Sequence, residues 1–214
     1  MNRMCACVTV LFLIAPGTSG ISSARDKDPL NIEDGVLDEI HLKIPTISAG
    51  VPILIRSFST EAVDLGTGGE HAKNEKRSDA AKTMVKVAPD LLIEAFKSSI
   101  VEAHAFGKLL PADVATVPEN ALVIEGRFTR IDPGSRAKRY WAGFGAGKSG
   151  VQVTGTVKDA SGRVLAEFTH MRHSGIGIGG GDYVKFLSDD TKDVGHDVAV
   201  FLAKWATGGD LHKD

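Results

Sequence analysis

The stretch Val151-Gln152-Val153-Thr154-Gly155-Thr156-Val157-Lys158, turning through Asp159-Ala160-Ser161-Gly162 into Val164-Leu165-Ala166-Glu167-Phe168, decides the fold. Val151, Val153 and Val157 alternate with Gln152, Thr154, Thr156 and Lys158, the period of two of a strand with one buried face. Val164, Ala166 and Phe168 share a face in the second run. The Asp-Ala-Ser-Gly link is a hairpin signal, because Asp and Gly adopt turn geometry at little steric cost. Upstream, Leu122-Val123-Ile124-Glu125-Gly126-Arg127-Phe128 reads as a third strand with Leu122, Ile124 and Phe128 facing the core. Val51 to Phe58 is a short apolar run, consistent with a strand buried on both faces.

Helical patterns flank these strands. From about Asp79 to Phe106, Met84, Val87, Leu91, Ala95, Ile100 and His104 track one face. Pro89 implies either a kink or a true start with proline at the first helical position. Near the end of the chain Val184, Leu187, Thr191, Val194, Val198, Phe201 or Leu202, and Trp205 recur at steps of three and four. Asp182 is positioned to cap that helix and Gly208-Gly209 to stop it. The order is strand, helix, strand, strand, strand, helix, with a right-handed first crossover expected. Each helix has one apolar stripe to bury. The expected fold is therefore an α/β two-layer sandwich, with a mixed, mostly antiparallel sheet and two helices packed on one face.

The first residues read as a secretory leader. Arg3 is followed by an uncharged, mostly apolar run from Met4 to Ala15, then Pro16-Gly17 and small residues up to Ala24. As a helix that run is roughly 18 Å long at about 1.5 Å per residue, short of the about 30 Å of a bilayer core. The expected organisation is a signal peptide over 1–24, a flexible lead-in over 25–48, one α/β domain over 49–208 and a tail over 209–214. The chain has Cys 2, at Cys5 and Cys7, and both would leave with the leader. A cleaved chain then has no thiol for a disulfide, a nucleophile or a metal. Both cysteines precede the apolar run, whereas a lipidated cysteine follows it. The expected product is a soluble periplasmic or secreted protein without a transmembrane span or lipid anchor.

Composition narrows the partners. Lys+Arg 25 against Asp+Glu 27 gives a net charge of −2, and loss of Arg3 makes the remainder one unit more acidic. A nucleic-acid binder normally shows a strongly basic face, so no nucleic-acid partner is expected. Aromatic content is 6%, too low for stacking platforms.

Two glycine-rich segments stand out. Ala142-Gly143-Phe144-Gly145-Ala146-Gly147-Lys148-Ser149 fits a relaxed phosphate-binding loop. That loop requires a strand before it and a helix after it, so that the helix N-terminus faces the phosphates. Here Arg136-Ala137-Lys138-Arg139-Tyr140-Trp141 precedes it and the valine strand follows. The glycines then read better as a tight backbone route into that strand, with Arg136, Lys138, Arg139 and Lys148 as a basic cluster around it. Arg136, Lys138, Arg139, Tyr140, Gly143, Gly145, Gly147 and Lys148 are the candidate contacts for an anionic envelope component or an envelope protein. Nucleotide or anion binding through Gly143–Ser149 is the alternative. Gly175-Ile176-Gly177-Ile178-Gly179-Gly180-Gly181 reads as a connector ahead of the Asp182 cap. The histidines offer no ligand pair, since His170 and His173 are three apart on a strand and point to opposite faces. No cofactor, metal or catalytic residue is expected, so the leaning is towards a non-enzymatic binding module.

The run from Arg136 through Gly143-Phe144-Gly145-Ala146-Gly147-Lys148-Ser149, the valine strand, Asp159 with Gly162, and the glycine-rich segment up to Gly181 resembles the bacterial domain-of-unknown-function family 4410 of envelope proteins and lipoproteins. The resemblance covers roughly Val51 to Gly208 and implies an α/β sandwich in an envelope location. The family supplies no catalytic residue. This chain departs from its lipoprotein members in lacking a cysteine after the apolar run.

Overall fold

A computed structural model describes residues 30–66, 75–134, 149–174 and 182–212. The elements are β1 (Asn31–Glu33), β2 (Glu39–Leu42), β3 (Ile53–Ile55), α1 (Glu75–Glu102), β4 (Leu122–Asp132), β5 (Gly150–Asp159), β6 (Val164–Arg172) and α2 (Tyr183–Thr207). The strands form one open six-stranded sheet in the order β1-β2-β6-β5-β4-β3. Among the described residues β3 and β4 pair in parallel, across the α1 crossover, and the other neighbouring strands pair antiparallel. This is the mixed α/β fold expected.

The β5–β6 hairpin forms as read. Gly162 takes φ +90° at its turn, and the Asp159 carboxylate accepts from Ser161 and Arg163 backbone N–H groups at 3.0 Å each. The even alternation of β5 sends Val151, Val153 and Val157 to the helix side, all fully buried. A bulge between Phe128 and Arg130 leaves Thr129 unpaired. The extra residue restores the alternation, so Phe128 and Ile131 both face the core.

Within the stretch 25–48, expected as a flexible lead-in, the described residues from Leu30 onward instead enter the sheet. Asn31-Ile32-Glu33 and Glu39-Ile40-His41-Leu42 pair in register, and β2 pairs on to β6. Ile32, Leu37, Ile40, Leu42 and Ile47 are core residues. Burying each such side chain contributes about 1.5–3 kcal/mol, which outweighs the polar character of the stretch. The far end also joins in, with Val36 N–H donating to Leu211 O at 2.8 Å.

The first helix begins at Glu75, earlier than expected, and ends at Glu102, before His104, which takes φ +51°. Pro89 lies inside it and is not its start. Its buried row is Met84, Ala88, Leu92, Phe96 and Ile100, a strict step of four. Val87, expected on the core face, is 38% exposed. The row was hidden because Ala88 is small and Val87 is the larger neighbour. The second helix follows its expected face closely. Asp182 caps it by accepting from Val184 and Lys185 N–H groups at 3.0 and 3.1 Å, and Gly208 closes it in the left-handed region.

The two helices run parallel. Contacts rise together along both, from Arg77 with Tyr183, through Met84 with Ser188, to Leu92 with Gly195. They cover one face of the sheet, where Phe201 stacks on Trp205 and meets Phe168 at a tilt. A second, smaller core of Leu54, Leu110, Ala121 and Val123 packs on the other face beside β3. Among the described residues no helix is long and apolar enough to cross a membrane.

Candidate functional site

Strand directions gather many chain segments at one end of the sheet. The C-terminal ends of β4 and β6 and the N-terminal end of β5 lie together there. The chain after β3 continues beside β4, bridging Ser59 to Arg127 and Asp64 to Arg130, and brings Gly66 against Asp132. The two parallel helices both start at this end. The described residues that flank 67–74, 135–148 and 175–181 therefore all stand at one pole of the domain. The expected contact residues Arg136, Lys138, Arg139, Tyr140, Gly143, Gly145, Gly147 and Lys148 lie outside the described residues. So do the leader and both cysteines.

The roots of this pole are tied by polar contacts. Ser149 is fully buried. Its hydroxyl donates to Ser174 O at 3.2 Å, which joins the start of β5 to the end of β6. Ser174 in turn donates to Asp190 on α2, from its hydroxyl at 2.6 Å and its N–H at 3.2 Å. Burial of Asp190 pushes its carboxyl above the usual range, and the Ser174 hydrogen bonds offset this only in part. Ser149 is the last residue of the phosphate-loop pattern, and β5 begins at the next residue. The chain after the pattern is thus a strand and not the helix that phosphate binding of that type requires.

A second polar cluster sits just inside. His170 Nε2 and Asp197 Oδ2 are 2.8 Å apart, and Arg172 Nε donates to the same carboxylate oxygen. Burial alone would raise Asp197. The hydrogen bonds from His170 and Arg172 outweigh it and hold the carboxyl below the usual range, while Asp197 raises Arg172. His170 Nδ1 stands 3.4 Å from Asp38 Oδ2, within ion-pair distance but without hydrogen-bond geometry. Asp38 Oδ2 accepts instead from Met171 N–H at 2.7 Å. The cluster ties the β1–β2 turn, β6 and α2 together beneath the pole. His173 lies beyond β6, with Nδ1 3.3 Å from Ser149 O. His170 and His173 are thus held by different partners.

These residues escaped the sequence reading. One signal was available: Asp190 and Asp197 fall seven apart among Leu187, Thr191, Val194 and Val198, within the apolar face of α2. A carboxylate on such a face needs a buried partner.

The open face of the sheet carries a shallow trough of about 530 Å³ lined by His41, Arg127, Thr154, Thr156 and Thr169 among others. Its two carboxylates are already paired, Glu125 with Lys158 and Glu167 with Lys43. The carboxylates of the trough are thus neutralised, and Arg127 adds a cation to its wall.

Fold and pole together define an α/β sandwich with three of its connections converging at one end. The family model named domain of unknown function (DUF4410) matches residues 53–177, and the chain belongs to that family. Among solved structures it is similar to the PelC dodecamer from Paraburkholderia phytofirmans, at 14% identity, a TM-score of 0.40, and coverage of 74% of this chain and 96% of that one. A leucine-to-methionine variant of that dodecamer matches at 12% identity and a TM-score of 0.40, covering 75% and 97% of the two chains. No curated protein matches.

Proposed function

We propose that this chain is an exported, non-enzymatic binding module of the cell envelope, one domain from about Leu30 onward, that engages an envelope protein or anionic envelope component at its loop-bearing pole. The observation that carries the reading is the convergence of three connections and two helix N-termini at that pole. Aligned backbone dipoles place partial positive charge at a helix N-terminus. The segment 135–148, which holds Arg136, Lys138, Arg139 and Lys148, joins two strand ends that lie at that pole. The apolar run behind Arg3 supports export. In this reading the leader is removed and the chain works as a soluble periplasmic or secreted protein.

The test is fractionation of Arg136→Glu combined with Arg139→Glu. The variant is expected to fold, with an unchanged thermal midpoint, and to shift from the envelope-associated to the free fraction. An unchanged distribution would refute the reading.

A further inference from the structure

We propose that His170 works as a proton-operated clamp: a second proton, taken up at Nδ1, bridges Asp38 to Asp197 and tightens the β1–β2 hairpin onto α2. The clamp needs neither export nor the loop-bearing pole. His170 is 4% exposed and sits on the helix-facing side of β6. Asp38 stands opposite it, one step past the Glu39–Thr169 pair of the β2–β6 ladder. Asp197 approaches from α2, its Oδ2 2.8 Å from His170 Nε2. Burial works against the Asp197 charge, and the His170 and Arg172 hydrogen bonds overcome it, so the carboxylate is ionised at neutral pH. A carboxylate only accepts, so the single proton of a neutral ring belongs on Nε2. Nδ1 of that ring then turns a lone pair towards Asp38 Oδ2 at 3.4 Å, where it is buried without a hydrogen bond. A second proton makes the same atom a charged donor within ion-pair distance. The Met171 N–H, donating to Asp38 Oδ2 at 2.7 Å, already holds the carboxylate in place, and a carboxylate oxygen accepts more than one hydrogen bond.

The charges around the ring favour that proton. Arg172, on the same strand, donates to Asp197, and Asp193 on α2 adds an acidic charge close to Arg172. β5 places the uncharged Val153 opposite His170, and Glu39 of β2 is paired with Thr169, which lines the other face. Among the described residues a neutral ring thus leaves Asp38, Asp193 and Asp197 around one cation, Arg172. The second proton adds a positive charge between two of those carboxylates. The hairpin so held carries Ile32, Leu37, Ile40 and Leu42 into the core. These contacts persist without the proton, so its loss loosens the hairpin and does not release it. The docked hairpin favours the protonated ring. Its added stability is therefore present at the acid end of the range in which histidine changes charge, about pH 5 to 8, and is lost as pH rises through it.

The test is amide hydrogen exchange of the full chain at about pH 5.5 and about pH 8, taken as protection factors so that the intrinsic pH dependence of exchange cancels. The reporters are the Asp34 and Leu42 amides, which donate to Asp38 O and Leu30 O within the hairpin, and the references are the Leu122 and Phe128 amides of β4. The Asp38 side chain is 51% exposed, which screens the pair. Hairpin protection relative to β4 should accordingly be about threefold to tenfold higher at the lower pH. His41 and His212 also touch the hairpin, through Asn31 and Gly35. Asp38→Asn leaves both in place, and its amide oxygen can still accept from Met171. It should erase the extra protection at the lower pH and leave protection at the higher pH unchanged or raised. A merely structural role for Asp38 would lower protection equally at both. His170→Asn should also remove the pH response; should it fail to fold, Asp38→Asn decides alone. Ring nitrogen shifts of 15N-labelled histidine read the proton directly, with His170 Nδ1 expected to carry one at the lower pH and none at the higher. Equal relative protection at both pH values in the parent, a pH response that survives Asp38→Asn, or an Nδ1 in the same state at both overturns the proposal.

Discussion

Gly195 sits in the middle of α2 at its closest approach to α1. A Cβ there would lie 2.5 Å from the Leu92 carbonyl oxygen and 3.1 Å from both Ala95 Cβ and Phe96 N. At an exposed helical site, replacing glycine by alanine stabilises by about 1 kcal/mol. Here the sign should reverse. Inserting one methyl into a packed contact costs about 1–3 kcal/mol, and the obstacle is helix backbone, which cannot rotate aside as a side chain would. Taking the upper end and subtracting the propensity gain leaves Gly195→Ala about 2 kcal/mol less stable. For a domain of this size that is a fall in midpoint of about 4–8 °C. Urea unfolding should show a lower midpoint with an unchanged slope, since the surface exposed on unfolding is the same. A Gly195→Ala protein as stable as the parent, or more so, would refute the close parallel packing of the two helices.

Two carboxylates on α2 should respond to pH in opposite directions. Asp197 is held below its usual range, so its stabilisation is present at neutral pH and lost as pH falls below about 4. Asp197→Asn should cost about 2 kcal/mol at pH 7, through the weakened His170 and Arg172 contacts, and the gap to the parent should close in acid unfolding curves. Asp190 is raised by burial, so its folded-state advantage is present in acid and lost as pH rises through the raised value. Asp190→Asn should therefore be more stable than the parent at neutral pH and no more stable below about pH 4, as followed by denaturant midpoints across that range. A neutral-pH loss for Asp190→Asn would count against the burial of that carboxyl.

Legibility in the sequence tracked the length and regularity of each pattern. The β5–β6 hairpin has ten and nine residues, with a clean alternation in β5 and a turn running from Asp159 to Gly162, and α2 carries both its caps in plain view. The strands β1 and β2 have three and four residues, too few to establish a period against charged neighbours. Even so, Ile32 and then Ile40 with Leu42 alternate around Asp34-Gly35, a turn signal that marks the hairpin in retrospect. Asp34 takes φ +55° there, a conformation Asp tolerates better than most residues. The phase of α1 was misread because Ala88 contributes little apolar surface to its row. The polar ties at the pole were invisible for a different reason. Ser149, Ser174 and Asp190 are distant in sequence and meet only once β5, β6 and α2 are assembled. The basic segment 135–148, by contrast, could be picked out by composition.

Strand direction also decides where attachments can go. β1 runs in the same sense as β6, so Leu30 enters the sheet at the end opposite the loop-bearing pole. A reporter or affinity handle fused ahead of Leu30 would therefore project from the far side of the domain. It would leave the pole open to a partner. The same geometry recommends immobilising the protein through its N-terminal side for surface-based binding measurements, since capture there turns the pole towards the solution.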